Sequence, residues 1–169
     1  MTNRPRRPAP ALALRPVEAA DEDLLLDWAN DPATRAASRN HAPIAPADHH
    51  RWLERRLAAP DDARLWIGQA EGRPIGVVRF ERRAPAAVEV AITVAPEARG
   101  RRLARPLLDA GIAAVREAFG PVTILADVLP DNESSLALFR GAGFTPIASP
   151  TEAAEAGPDE TGVISLDLR

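Results

Sequence analysis

Apolar residues recur along this chain with two different periods, and the alternation between them lays out its elements. Leu12 to Val17 (LALRPV) reads as a short first strand. Asp21 stands at an N-cap position, and Leu24, Leu25 and Trp28 carry a helical spacing that stops near Asn30-Asp31-Pro32. A second helix starts after Ile44, with Pro46 in its first turn and Trp52, Leu53 and Leu57 on the face to be buried. Leu65 to Gln69 and Ile75 to Phe80 are β-rich runs on either side of Glu71-Gly72-Arg73-Pro74, the pattern of a hairpin. Val88, Val90, Ile92 and Val94 alternate strictly with Glu89, Ala91 and Thr93, the clearest strand in the chain.

Helical spacing returns from Leu103 to Phe119, and Gly120-Pro121 ends it. A strand from Val122 to Leu129 follows. Asp131 or Asn132 then caps a short helix that closes at Gly141-Ala142-Gly143 before a strand from Phe144. An acidic segment rich in Pro, Gly and Ala, Ser149 to Gly162, reads as a solvated loop ahead of a last strand at Val163 to Leu168. The resulting order, β-α-α-β-β-β-α-β-α-β-β, is that of a single α/β domain over residues 11–169 behind a disordered tail at 1–10.

Composition narrows the function more than the fold. Of 169 residues 34 are Ala, so the larger apolar side chains must be well placed to make a core. There is no cysteine, which removes disulfides, thiolate nucleophiles and Cys-type zinc sites. All 21 basic residues are Arg, so there is no Schiff-base amine and no phosphate-loop lysine. The net charge of -3 and few aromatics argue against nucleic acid as a partner. With no long apolar run and no signal-peptide h-region, the expected location is cytoplasmic, away from membranes. His41, His49 and His50 lack a metal-site pattern, so no metal is expected; His49 is the one considered as an acid-base group. Trp28, Trp52 and Trp66 fall on apolar periods and are expected in the core.

The chemistry concentrates in two places. Between the clearest strand and the longest helix lies Ala95-Pro-Glu-Ala-Arg99-Gly100-Arg101-Arg102-Leu103-Ala104-Arg105, a loop that feeds a helix N-terminus whose free N–H groups and positive dipole end suit a phosphate. Pro106 fixes that helix start close to Arg102, since a proline is harmless only in the first turn. The second stretch runs from Asp127 through Asn132 and Phe139 to Gly143-Phe144.

These two stretches, in this order, resemble the GCN5-related N-acetyltransferases, the GNAT superfamily. The resemblance implies a mixed, mostly antiparallel central sheet with helices on both faces, splayed between its fourth and fifth strands to admit acetyl-CoA as cosubstrate. It implies that Ile92, Thr93 and Val94 line the pantetheine arm, that Arg99, Gly100, Arg101, Arg102, Leu103, Ala104 and Arg105 cradle the pyrophosphate, and that Asn132 contacts the cofactor near its reacting end. It also implies direct attack of an amine on a thioester, for which Glu89 and Asp127 are the candidate bases. Two departures stand out. Arg102 replaces a family glycine, and Phe139 replaces the tyrosine that many members use as general acid, in a chain with no tyrosine at all.

The N-terminal half resembles acetyltransferases of pseudaminic acid synthesis, which act on the 4-amino group of a UDP-linked sugar. The matching elements are Leu14-Arg15, Trp28-x-Asn30-Asp31-Pro32, Arg35 and the His49-x-x-Trp52 pair, with Trp28, Asn30, Arg35 and His49 the implied acceptor contacts, and Arg35, Arg39 and Arg51 could bind a diphosphate. Similar halves occur in acetyltransferases of protein N-termini, including those of ribosomal proteins, and a CoA-binding module with little catalysis is a further alternative. The expected partner is a small amine or nucleotide sugar, with room for a homodimer.

Overall fold

The computed structural model describes residues 12–147 and 163–169. The proposed N-terminal tail and the acidic loop lie outside those residues. Seven strands form one sheet: β1 (Leu12–Pro16), β2 (Ala63–Ala70), β3 (Arg73–Ala84), β4 (Ala87–Val94), β5 (Thr123–Val128), β6 (Thr145–Pro146) and β7 (Ile164–Leu168). Their order is β1-β2-β3-β4-β5-β7-β6, and all neighbours are antiparallel except β4 and β5. The helices are α1 (Glu22–Asn30), α2 (Pro32–Ala36), α3 (Pro46–Ala58), α4 (Ala104–Phe119) and α5 (Glu133–Gly141).

The period of two in β4 divides the sheet's faces as the alternation predicts. Val88, Val90 and Ile92 pair with Arg82, Phe80 and Val78 of β3, and on this face α4 packs. Its contact is close because glycines supply it. A Cβ on Gly68 would lie 2.5 Å from Leu107, and one on Gly111 2.8 Å from Val78. Leu107, Leu108, Val78 and Phe80 are fully buried there. The opposite face carries Arg79, Glu81, Glu89 and Asp127 under α1 to α3. Leu53 is buried in that layer, Arg79 lies 5.4 Å from the Trp52 ring, and Arg56 bonds Glu81 at 2.7 Å.

Four local expectations change. Leu57 is 37% exposed, because Arg56 takes the inward position of the last α3 turn on its way to Glu81. Trp52 and Trp66 lie at the margin of the core, packed against it, while Trp28 is inside it. Asp21 does not cap α1 through its side chain; Arg15 holds it at 2.7 Å from both oxygens, and it closes a 3-10 turn at Ala19–Asp21 through the Glu18 N–H. Between the two predicted helices lies α2, unexpected from the apolar spacing. Its start is nonetheless written in the chain: Asp31 accepts from the Thr34 N–H at 3.0 Å, and Pro32 occupies the first turn.

His49 is buried at 4% exposure with its Nδ1 unpartnered, and burial pushes its imidazole below the ordinary range, against the opposing pull of Glu22. The unfolded chain therefore binds a proton at His49 that the folded chain rejects, so this group destabilises the fold as pH falls below about 6.5. His49→Leu should raise the melting temperature more at about pH 5.5 than at about pH 8, as read by parallel thermal melts. An equal change at both values contradicts this assignment.

Candidate functional site

The sheet opens between β4 and β5. Ala87, Val88 and Glu89 pair with Thr123, Ile124 and Leu125, and there the pairing stops. Beyond it β4 stays bound to β3 as far as Gly76 and Val94, and β5 stays bound to β7 as far as Val128 and Ile164. Among the described residues Val90 to Val94 thus present a strand edge with no partner strand across the gap, as the splay predicted. Ile92, Thr93 and Val94 are on that edge, each half-buried.

At the open end of β4 the chain passes through a 3-10 turn, Pro96–Ala98, into the arginine loop and α4. Ala95 and Ala98 are buried and anchor the loop's base. Gly100 has φ 71° and Arg102 φ 59°, both left-handed. Leu103 precedes α4 without a side-chain cap. Among the described residues no acceptor meets the N–H groups of Gly100 to Arg105, so they and the uncapped α4 terminus form a surface for an anion. Pro106, in the first turn, has no N–H to spare.

Arg102 departs from the family glycine at a point where glycine's freedom is needed. A left-handed conformation costs an L-residue about 1–2 kcal/mol, against about 0.5–1 kcal/mol of extra chain entropy for glycine in the unfolded state. Arg102→Gly should therefore stabilise the protein by about 1 kcal/mol, a rise of about 2–4 °C in melting temperature. No rise would mean the Arg102 side chain makes a compensating contact.

The loop's other arginines have work of their own. Arg99 donates to Asp31 Oδ2 at 2.7 Å and to Thr34 Oγ1 at 3.0 Å, joining the loop to the start of α2 and holding the Asp31 carboxyl below its usual range. Arg105 bonds both oxygens of Asp109 at 2.8 Å and the Gly141 carbonyl, joining α4 to α5. Arg101 and Arg102 are exposed at the rim. Asn132 caps α5, its Oδ1 accepting from Ser135 N–H at 3.1 Å and Ser134 Oγ at 3.0 Å. Phe139 is buried, its ring edge-on to Phe144 at 5.1 Å. It carries no proton donor.

Both candidate bases lie on the same face of the sheet. Glu89 sits where the pairing ends and accepts from Arg83 Nε at 2.6 Å. Asp127 is two residues beyond Leu125, at the mouth of the gap, bonded to Arg39 Nη2 at 2.8 Å and Ser165 Oγ at 2.8 Å. The four acceptor positions on α1 to α3 each make contacts within the protein. Trp28 is in the core, and His49 is buried 5.4 Å from Trp52. Asn30 makes a two-way bond with the Ile44 backbone at 2.8 and 2.9 Å. Arg35 spends its donors on Ala29, Asn40 and Ala42 carbonyls and on Ser38 Oγ. Sequence reading missed the two ion pairs Arg99–Asp31 and Arg39–Asp127, because pairs so distant in the chain leave no periodic trace. A shallow groove of about 460 Å³ beside the first of them is lined by Leu24, Asp27, Trp28, Asn30, Asp31, Pro96 and Glu97, so it includes two of the four acceptor positions.

The sequence pattern of the acetyltransferase (GNAT) domain matches residues 11–145. No curated protein matches the chain. Among solved structures, an N-acetyltransferase from Staphylococcus aureus Mu50 is similar at 22% identity, with 94% of this chain and 98% of that chain covered and a TM-score of 0.74. A ribosomal-protein-alanine N-acetyltransferase from Brucella melitensis shares 23% identity over 92% of this chain and 98% of its own, with a TM-score of 0.73. A spermidine N-acetyltransferase chimera from Vibrio cholerae and hSSAT shares 17% over 93% and 94%, with a TM-score of 0.76. Among the described residues no helix is long and apolar enough to cross a membrane, and no cluster of His, Asp and Glu could hold a metal ion.

Proposed function

Because the chain belongs to the GNAT acetyltransferase family, it is an acyltransferase, and we propose that residues 11–169 move the acetyl group of acetyl-CoA to a primary amine across the β4/β5 gap. The observation that carries this reading is the coincidence of an unpaired β4 edge with an uncapped helix terminus at its open end. When bound, acetyl-CoA supplies an acyl group activated as a thioester. The residues fit it. The free N–H groups of Gly100 to Arg105 bind the pyrophosphate, with Arg101 and Arg102 adding charge from the rim. The edge at Ile92, Thr93 and Val94 extends through backbone bonds to the pantetheine amides, in the manner of an added strand. Arg99 and Arg105 hold the loop in place through Asp31 and Asp109 and leave phosphate contact mainly to the backbone.

An ammonium must lose its proton before it can attack, and the carboxylates face the gap from one side. Glu89, at the closed end, takes the proton directly or through a water, with Arg83 steadying it. Asp127, at the mouth, meets the amine as it enters. Asn132 keeps its amide nitrogen for the cofactor while its oxygen caps α5. Phe139, in the tyrosine's place, has no proton to give, so the proton for the thiol product would come from solvent.

The acceptor we favour is an amine on a cationic carrier, such as a peptide N-terminus. An amino sugar linked to UDP calls for free guanidinium groups near the mouth; Arg35 spends its donors on carbonyls of its own segment, and Arg39 and Arg51 each face an aspartate, Asp127 and Asp48, that suits a cation instead. Steady-state rates across pH separate the two carboxylates. Glu89→Gln should lower kcat by about a hundredfold across the measured range, while Asp127→Asn should act on the amine's KM. A full kcat in Glu89→Gln refutes the assignment of the base.

A further inference from the structure

The short helix α2 spans the open mouth of the sheet and is clasped at both ends. On the β4 side Asp31 is held by Arg99 Nη2 at 2.7 Å, accepts from Thr34 N–H at 3.0 Å, and is 17% exposed. On the β5 side Arg39 makes one hydrogen bond to Asp127, at 2.8 Å, with the two side chains 58% and 28% exposed. The segment between is tied together from within by Arg35 and by the Asn30–Ile44 bonds. The two clasps therefore differ in strength. One is a shared network tied into a helix cap; the other is a single solvated ion pair, of the kind contributing little to stability.

Asp127 has a second anchor besides Arg39. Its other oxygen accepts from Ser165 Oγ at 2.8 Å, and Ser165 is buried on β7 directly across from it. The result is a fixed, oriented carboxylate at the mouth of the gap, on the same face as Glu89, covered by a guanidinium on a loosely held segment. Among the ionisable groups around the mouth, Glu89 is paired with Arg83 and Asp31 with Arg99, Asp27 and Glu97 have no ion-pair partner among the described residues, and the exposed cations Arg101 and Arg102 lie on the cofactor loop.

We infer that Asp127 is the seat for a cationic group of the acceptor and that Arg39 is the chain's own occupant of that seat, displaced when the acceptor enters. The inference rests on the reading that the amine approaches on this face, and it deepens that reading by assigning the acceptor's charge. Arg39 then sets specificity twice. It competes with any cation for Asp127, and once displaced it frees the β5 end of α2 while Arg99 keeps the β4 end attached to the cofactor loop.

Calorimetric titration of the full chain at low ionic strength tests this with 1,4-diaminobutane as a cationic probe and UDP as an anionic one, since salt would screen so exposed a pair. Removing the internal competitor by Arg39→Ala should tighten diamine binding about two- to five-fold, the span expected for loss of an exposed ion pair. Asp127→Asn should weaken it in both the native and the Arg39→Ala background, and UDP binding should not change. Diamine binding that is undetectable in every variant, or weaker in Arg39→Ala, overturns the inference. So does a loss of UDP binding in Arg39→Ala, which makes Arg39 a phosphate ligand. Titration of CoA into the same samples keeps the two readings apart: absent CoA binding fails the acetyltransferase site, whereas the diamine results judge the Asp127 seat by themselves.

Discussion

Ala104→Glu should weaken acetyl-CoA binding by about a hundredfold or more while leaving a folded protein. Ala104 is the first residue of α4, half-buried, and belongs to the row of N–H groups that lack acceptors. A glutamate there faces the positive end of the helix dipole, which favours it by about 0.3–1 kcal/mol, so the helix does not suffer. Its carboxylate occupies the space and the donors on which the pyrophosphate depends, and repels the phosphates themselves. Placing like charges together at an interface costs several kcal/mol, so affinity should fall by about a hundredfold or more. A calorimetric titration reads the loss, and circular dichroism confirms the fold. Unchanged affinity contradicts the assignment of the loop.

Gly76→Ala should be the most damaging of the small substitutions to stability. Gly76 faces Val94 across the β3–β4 pair, and a Cβ there would lie 2.4 Å from the Thr93 carbonyl oxygen, 3.0 Å from Leu107 and 3.1 Å from the Val94 Cα. Two of these three neighbours are backbone, so no rotamer change relieves the overlap. The strand must shift, at about 3 kcal/mol, lowering the melting temperature by about 6–12 °C. The shift also moves the β4 edge, so acetyl-CoA affinity should drop along with stability. Gly72→Ala provides the contrast. Its position is left-handed at φ 73° but open, with nothing within 4 Å, and it should cost only about 1 kcal/mol with affinity kept. Equal effects of the two would contradict the close β3–β4 approach.

Much of the fold is legible in the chain because its signals are local. Strict alternation in β4 marks both the strand and its two faces, and Pro106 locates the start of α4 to within about two residues. The Glu71-Gly72 pair is a tight hairpin in the structure, with both residues left-handed. Where the local signal is short or shared, the reading is poorer. Asp31-Pro32 ends one helix and begins another, and only the first role shows in apolar spacing. Thr145–Pro146 pairs for two residues, too few for a period to appear.

The candidate site divides along the same line. Its main-chain parts follow from Gly100, the helix start and the strand edge, all properties of short segments. Its side-chain parts depend on contacts between distant segments. Arg99 looks like a phosphate ligand in a basic loop until Asp31 is seen 2.7 Å away, and Arg35 looks like a diphosphate ligand until its donors are traced to carbonyls of its own loop. Arginine's five donors make it as apt for tying backbone together as for binding phosphate, and sequence alone does not separate the two uses.

The central claim is that the β4/β5 gap and the loop beyond it hold acetyl-CoA, and the melting temperature of the native chain with and without that ligand tests it most directly. At a hundred times the dissociation constant, binding stabilises by about 2.7 kcal/mol, which for a chain of this size raises the midpoint by about 5–10 °C. A rise of that order with acetyl-CoA and with CoA is the expected result. An unchanged midpoint at millimolar acetyl-CoA would contradict it.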